Sequence, residues 1–112
     1  MKKYHHFGIP TKEKRKDEIY IPHLKLCIVS SYEKSQYGIE LIRFDTDASV
    51  PELLKTVPHV AFKVDDIANE IKGKKVLLEP YFCADNIMVA FIEENGVPVE
   101  FLQYFDRKEQ KV

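Results

Sequence analysis

The chain has 112 residues, 45% hydrophobic and 31% charged, which suits one ordinary globular domain able to bury roughly two-thirds of its unfolded surface without disulfide or metal staples. A formal net charge of −1 provides no long-range field to attract nucleic acid or an anionic membrane, so neither is expected as a partner. No run approaches the ~18 apolar residues of a membrane span, and the first residues contain no apolar h-region. The two cysteines, Cys27 and Cys83, lack CxxC spacing and read as buried free thiols in a reducing compartment, so a cytoplasmic protein is expected.

Residues 3–9 alternate as a strand ended by Pro10, with His6 and Gly8 on one face and His5, Phe7 and Ile9 on the other. His5 is therefore expected to point away from His6. Residues 11–18 (TKEKRKDE) offer no apolar position and cannot form a core-facing helix, so they read as a solvated loop. Residues 19–21 make a short strand stopped by Pro22. Over residues 23–30, Leu24, Leu26 and Ile28 share one face, and Lys25, Cys27 and Val29 the other. A polar hairpin connection over 31–36 leads to a strand over 37–44, in which Glu40 shares a face with Gly38, Ile42 and Phe44. An acid placed there is costly without a partner.

Residues 49–54 carry a helix-start signal, a capping Ser49 with Pro51 and Glu52 in the first turn, and link two halves of the chain. Residues 58–64 form the next strand. Asp65 or Asp66 then caps a helix to about Lys72, with Ile67, Ala68 and Ile71 inward and Gly73 closing it. Residues 76–83 are apolar but interrupted by Pro80, and the runs 86–93 and 97–104 flank Glu94-Asn95-Gly96, a strong hairpin signal. A polar tail, 106–112, follows. The order is β-loop-β-β-β, a linker, then β-α-β-β-β, in a single domain over 1–112 with a first module over about 3–48 and a second over about 57–105.

His6 and His59 stand near the start of the first strand of each half, and Glu40 and Glu100 in the last strand of each half. Taken singly, each has a plain explanation: a histidine at a strand start is usually a surface or hydrogen-bonded residue, and a glutamate among apolar neighbours usually lies on a half-exposed face. His5 and His23 keep that explanation. The His…Glu pair, however, is written twice in the same order. If a pseudo-twofold axis relates the halves, equivalent positions converge on it, and two imidazoles and two carboxylates line one concave face. Mixed nitrogen and oxygen donors suit a divalent ion with open positions, such as Zn, Ni, Fe, Co or Mn. Two carboxylates neutralise a dication; without one they repel, and one is pushed towards protonation. Such a shell leaves room for substrate oxygens and suits Lewis-acid polarisation of a carbonyl.

The segments HHFGIPT, PHVAFKVDDI and NIMVAFIEENGVPVEFLQY resemble the vicinal oxygen chelate superfamily, whose members include glyoxalase I, methylmalonyl-CoA epimerase, extradiol dioxygenases and the bleomycin- and fosfomycin-resistance proteins. The match is best over residues 58–104, fair at 4–10 and 37–44, and absent at 11–22. The resemblance implies an α+β fold of two βαβββ-type modules, the first lacking most of its helix, forming a curled mixed sheet around a cup. It also implies His6, Glu40, His59 and Glu100 as metal ligands, a set like that of bacterial glyoxalase I. Epimerases usually carry glutamine where Glu40 stands, iron dioxygenases use two histidines and one carboxylate, and the metal-free resistance proteins lack the ligands. The implied activity is that of a glyoxalase-like metal-dependent lyase or isomerase, acting on a small oxygenated substrate through a metal-stabilised enolate or enediolate. Glu100 is the first candidate base and Glu40 the second. The alternatives are a metal-free small-molecule binding or resistance-type module, and an Fe-dependent dioxygenase. Where the family has an amphipathic first helix this chain has TKEKRKDE, and the side left open is expected to be closed by a second subunit in a homodimer.

Overall fold

Short apolar or alternating runs bounded by turn residues form eight strands in a computed structural model, which describes residues 2–105. In chain order the elements are β1 (Lys3–Pro10), β2 (Ile19–Ile21), β3 (Leu26–Ser30), β4 (Ile39–Phe44), α1 (Glu52–Thr56), β5 (His59–Lys63), α2 (Ile67–Ile71), β6 (Val76–Ala84), β7 (Ile87–Glu94) and β8 (Val97–Tyr104). The polar tail 106–112 lies outside the described residues. All eight strands join one mixed sheet in the order β2-β3-β4-β1-β5-β8-β7-β6. β1 runs parallel to β4 and β5 parallel to β8, while β1 and β5 meet antiparallel at the centre. The sheet curls into a half barrel, and His23 on the turn after β2 reaches across the mouth to the Cys83 carbonyl on β6, 3.2 Å away. Each helix has only five residues, so the fold is mostly sheet. No helix among the described residues is long and apolar enough to cross a membrane.

Local chemistry accounts for several boundaries. Asn95 (φ 51°) and Gly96 (φ 80°) make the two-residue turn between β7 and β8, the left-handed pair this turn requires. The Asp66 carboxylate accepts from the Ala68 N–H and starts α2, which Gly73 (φ 74°) closes just past Lys72. Pro80 is tolerated because β6 is an edge strand whose register shifts between Leu78 and Tyr81. Two expectations fail. Ser49 does not cap α1, which starts after Pro51 with no side-chain cap. Residues 23–25 are not strand: Pro22 opens a 3₁₀ turn, Pro22–Leu24, and Lys25 leaves it at φ 52°, so β3 begins at Leu26.

The two halves of the sheet are backed differently on the outer face. Over β7 and β8, α2 packs Ile67 against Val64, Ala90, Ile92 and Phe101. Over β3 and β4 the loop 11–18 takes the helix's place and makes polar contacts. The Arg43 guanidinium, paired in register with Cys27, holds Glu18 with two bonds of 2.9 and 2.7 Å and the Glu13 carbonyl at 2.8 Å. Cys27 is buried there and Cys83 is half-buried on the inner wall; both thiols are free.

Candidate metal centre

His6, Glu40, His59 and Glu100 are the buried charged or polar side chains among the described residues. Strand register brings them together. Glu40 on β4 and His59 on β5 both lie opposite Gly8 on β1, while His6 on β1 and Glu100 on β8 both lie opposite Ala61 on β5. Each row thus reads polar, small, polar across three adjacent strands, and the small residue in each follows a histidine by two positions: His6-Phe7-Gly8 and His59-Val60-Ala61. At Gly8 the smallness is compulsory, since an added Cβ would stand 2.2 Å from the His59 Cε1 and 2.6 Å from its Nε2.

The Glu100 Oε1 lies 3.2 Å from the His6 Nε2 and 3.1 Å from the His59 Nε2, and the two Nε2 atoms are 3.3 Å apart. The Glu40 Oε1 is 3.6 Å from the His6 Nε2, and one ligand atom each from His6, Glu40 and His59 all lie within 4.8 Å of one another. His6, Glu40 and His59 thus form a group able to hold an ion, and Glu100 adjoins it through both imidazoles. Burial opposes charge on His6, but the hydrogen bond and charge of Glu100, with Glu40 beyond, hold its imidazole above the ordinary value. Burial and the neighbouring Glu100 charge raise the Glu40 carboxyl. Burial also opposes ionisation of Glu100, yet the hydrogen bonds from His59 and His6 outweigh it and bring that carboxyl down. Two adjacent carboxyls driven in opposite directions can share acid and base roles.

One expectation is corrected here: His5 does not point away from His6. The β1–β5 register slips between Tyr4 and His6, a bulge that turns both histidines towards the cup. The two Nδ1 atoms sit 2.7 Å apart, and the His5 Nε2 lies 2.8 Å from the Tyr104 hydroxyl. When the His6 Nε2 offers its lone pair to the centre, its Nδ1 carries the proton and donates to His5; the His5 proton then sits on Nε2, facing Tyr104. Tyr32 stacks on the His6 ring at 5.4 Å between centroids, and Phe91 meets His59 edge-on at 5.4 Å. Period-two reasoning missed His5, Tyr32 and Tyr104; the small residue two places after each histidine was the available signal for the packing around them. His23 lies at the rim, away from the four.

The four residues sit at the wall of a cavity of about 620 Å³ filling the curl of the sheet. No protein-family model and no curated protein matches the chain. Among solved structures, the crystal structure of a hypothetical protein from Bacillus halodurans C-125 is similar, with a TM-score of 0.66 and 19% identity over 94% of this chain and 96% of that one. At that identity the likeness concerns the fold alone.

Proposed function

We propose that the protein is a metal-dependent lyase or isomerase of the vicinal oxygen chelate kind, acting on an oxygenated small molecule. The observation that carries this is the convergence of two buried imidazoles and two buried carboxylates at the β1–β5 seam. The donor set fits a divalent ion: two nitrogens, two oxygens and charges that balance a dication. Its holders are His6, Glu40, His59 and Glu100. When bound, the ion supplies Lewis-acid polarisation of a substrate carbonyl and stabilises developing enolate charge. The symmetrical strand order and the repeated histidine-x-small pattern support two modules facing each other across that seam, the first with a loop where the second has α2.

The chain's own residues divide the proton work. β4 and β8 flank the central β1–β5 pair on opposite sides, so a substrate over the seam has Glu40 at one flank and Glu100 at the other. In this reading Glu100 is the first candidate base and Glu40, carried by the strand on the other side of the seam, the second. The protein works in the cytoplasm, and a homodimer belongs to the same reading: edge strand β2 exposes Ile19 and Tyr20, and sedimentation tests it.

Elemental analysis of the purified protein should find about one divalent ion per chain, held by the four-residue shell. No bound metal, together with no thermal stabilisation by Ni, Zn, Mn or Co, overturns the proposal. The cavity itself favours a second reading, a metal-free binding module. Ligand binding undiminished in a Glu40→Ala, Glu100→Ala double variant would select it.

A further inference from the structure

We infer that the substrate is a neutral molecule with a compact oxygen-bearing head at the four site residues and a bulky apolar body, aliphatic or aromatic, along the cup. This rests on the metal-dependent function proposed above and narrows it to a substrate class. The cavity, about 620 Å³, falls among pockets that take drug-sized ligands and far exceeds what a three-carbon oxo compound fills. Away from the four residues its walls are mainly apolar, with Leu26, Ile28, Ile42, Phe44, Leu78 and Ile87 among them. All of these but Ile42 are only half-buried, so an apolar body would withdraw protein surface from water along with its own.

Charge decides the rest. Among the described residues the one lysine on the wall is Lys25, whose Nζ lies 2.8 Å from the Asp47 carboxylate, and no arginine lines the cavity. Beyond the four site residues, Lys25 and the histidines His5 and His23, the wall holds no basic side chain, so a phosphate or carboxylate tail would leave water with no fixed counter-charge along the apolar part of the cup. A divalent ion balances the Glu40 and Glu100 carboxylates, so a neutral head completes the site without adding charge. The hydroxyl-bearing side chains Tyr32 and Tyr104 gather at the His5–His6 end, where the head sits.

A hydroxamate series on the zinc-loaded protein tests this by titration calorimetry: acetohydroxamic acid, octanohydroxamic acid, and suberic acid monohydroxamate, which ends in a carboxylate. At about threefold to fourfold per buried methylene, octanohydroxamic acid should bind at least ~100-fold more tightly than acetohydroxamic acid. The carboxylate-ended analogue should bind at least ~10-fold more weakly than octanohydroxamic acid. Leu78→Lys, remote from the four residues, should weaken only octanohydroxamic acid, leaving zinc and acetohydroxamic acid affinities unchanged. Equal affinity for short and long chains, or a preference for the carboxylate, overturns the apolar-body inference and leaves the metal-dependent function standing. Equal binding of octanohydroxamic acid to metal-free protein overturns the placement of the head. Failure of zinc to bind in the preceding metal titration overturns both.

Discussion

Replacing Gly8 by alanine tests how the centre is built with a single methyl group. The new Cβ would lie 2.2, 2.6 and 2.8 Å from the Cε1, Nε2 and Nδ1 of His59, all inside any real contact distance. The His59 ring cannot swing aside freely, because Phe91 meets it edge-on at 5.4 Å and His6 at 5.4 Å. It must retreat by about 1 Å, several times the ~0.2 Å tolerance of metal–ligand distances. Overpacking of this kind costs about 1–3 kcal/mol of stability, so the fold survives while the donor set is disrupted. We expect zinc affinity, read by competition with a chromophoric chelator, to fall at least ~100-fold, with a urea midpoint for metal-free protein only modestly lowered. The matched change Ala61→Gly should cost about 1 kcal/mol of stability and move zinc affinity little, since it opens space. A Gly8→Ala protein that binds zinc as tightly as the parent would refute the geometry.

Three further outcomes are expected. His5→Phe removes the acceptor facing the His6 Nδ1, 2.7 Å away, and should lower zinc affinity ~10–100-fold with the thermal midpoint of metal-free protein nearly unchanged; equal affinities would show His5 to be a bystander. The Arg43 guanidinium holds the Glu18 carboxyl down to about 2 from its ordinary 4.5. A depressed carboxyl contributes its stability above about pH 4.5 and loses it as the pH falls towards 2, so Glu18→Gln should lower the melting temperature at neutral pH and flatten its decline over that acid range. Parent and variant declining in parallel would exclude the pair as a contributor. Hydrogen exchange should be faster in β3 and β4, backed by a polar loop, than in β7 and β8 under α2. Zinc should slow exchange in β1 and β4 most, because His6 and Glu40 gain a tie to the second half; a uniform effect would contradict this.

Much of this architecture is visible in the sequence because its causes are local. The strands β7 and β8 follow from two apolar runs on either side of Asn95-Gly96, and α2 from a capping Asp66 before Ile67 and Ile71. The repeated His…Glu pair named His6, Glu40, His59 and Glu100, and these converge because alternation fixes which face each occupies. What stayed hidden depends on pairing between distant strands. The bulge that turns His5 towards His6 is a register slip against β5, which no alternation within residues 3–9 encodes. The need for glycine at position 8 arises from a ring contributed 51 positions later, at His59. No local pattern in residues 37–44 pairs Arg43 with Glu18, and its bidentate grip appears only once the loop 11–18 folds over β4.

The small residues also explain how four titratable side chains come to share one buried point. His6 and Glu100 stand on strands separated by β5, a span of about 9–10 Å at two strand spacings. Their Nε2 and Oε1 nevertheless lie 3.2 Å apart, so both side chains lean inward over Ala61. Glu40 and His59 flank Gly8 in the same way one row along. The rows differ in what holds the imidazole. His59 rests directly on the Gly8 backbone, with Phe91 behind it, and so has no room for a methyl group there. His6 is held from its far nitrogen by His5 and from its face by Tyr32, and the opposite position can carry alanine. Without an ion, the two imidazoles outweigh burial at Glu100, whereas burial and the Glu100 charge hold the Glu40 carboxyl above its ordinary value. A dication at the same point would relieve the strain on Glu40 and tie β1 and β4 to β5 and β8. The strand pairing that buries these side chains together is also what leaves His6, Glu40 and His59 able to hold an ion.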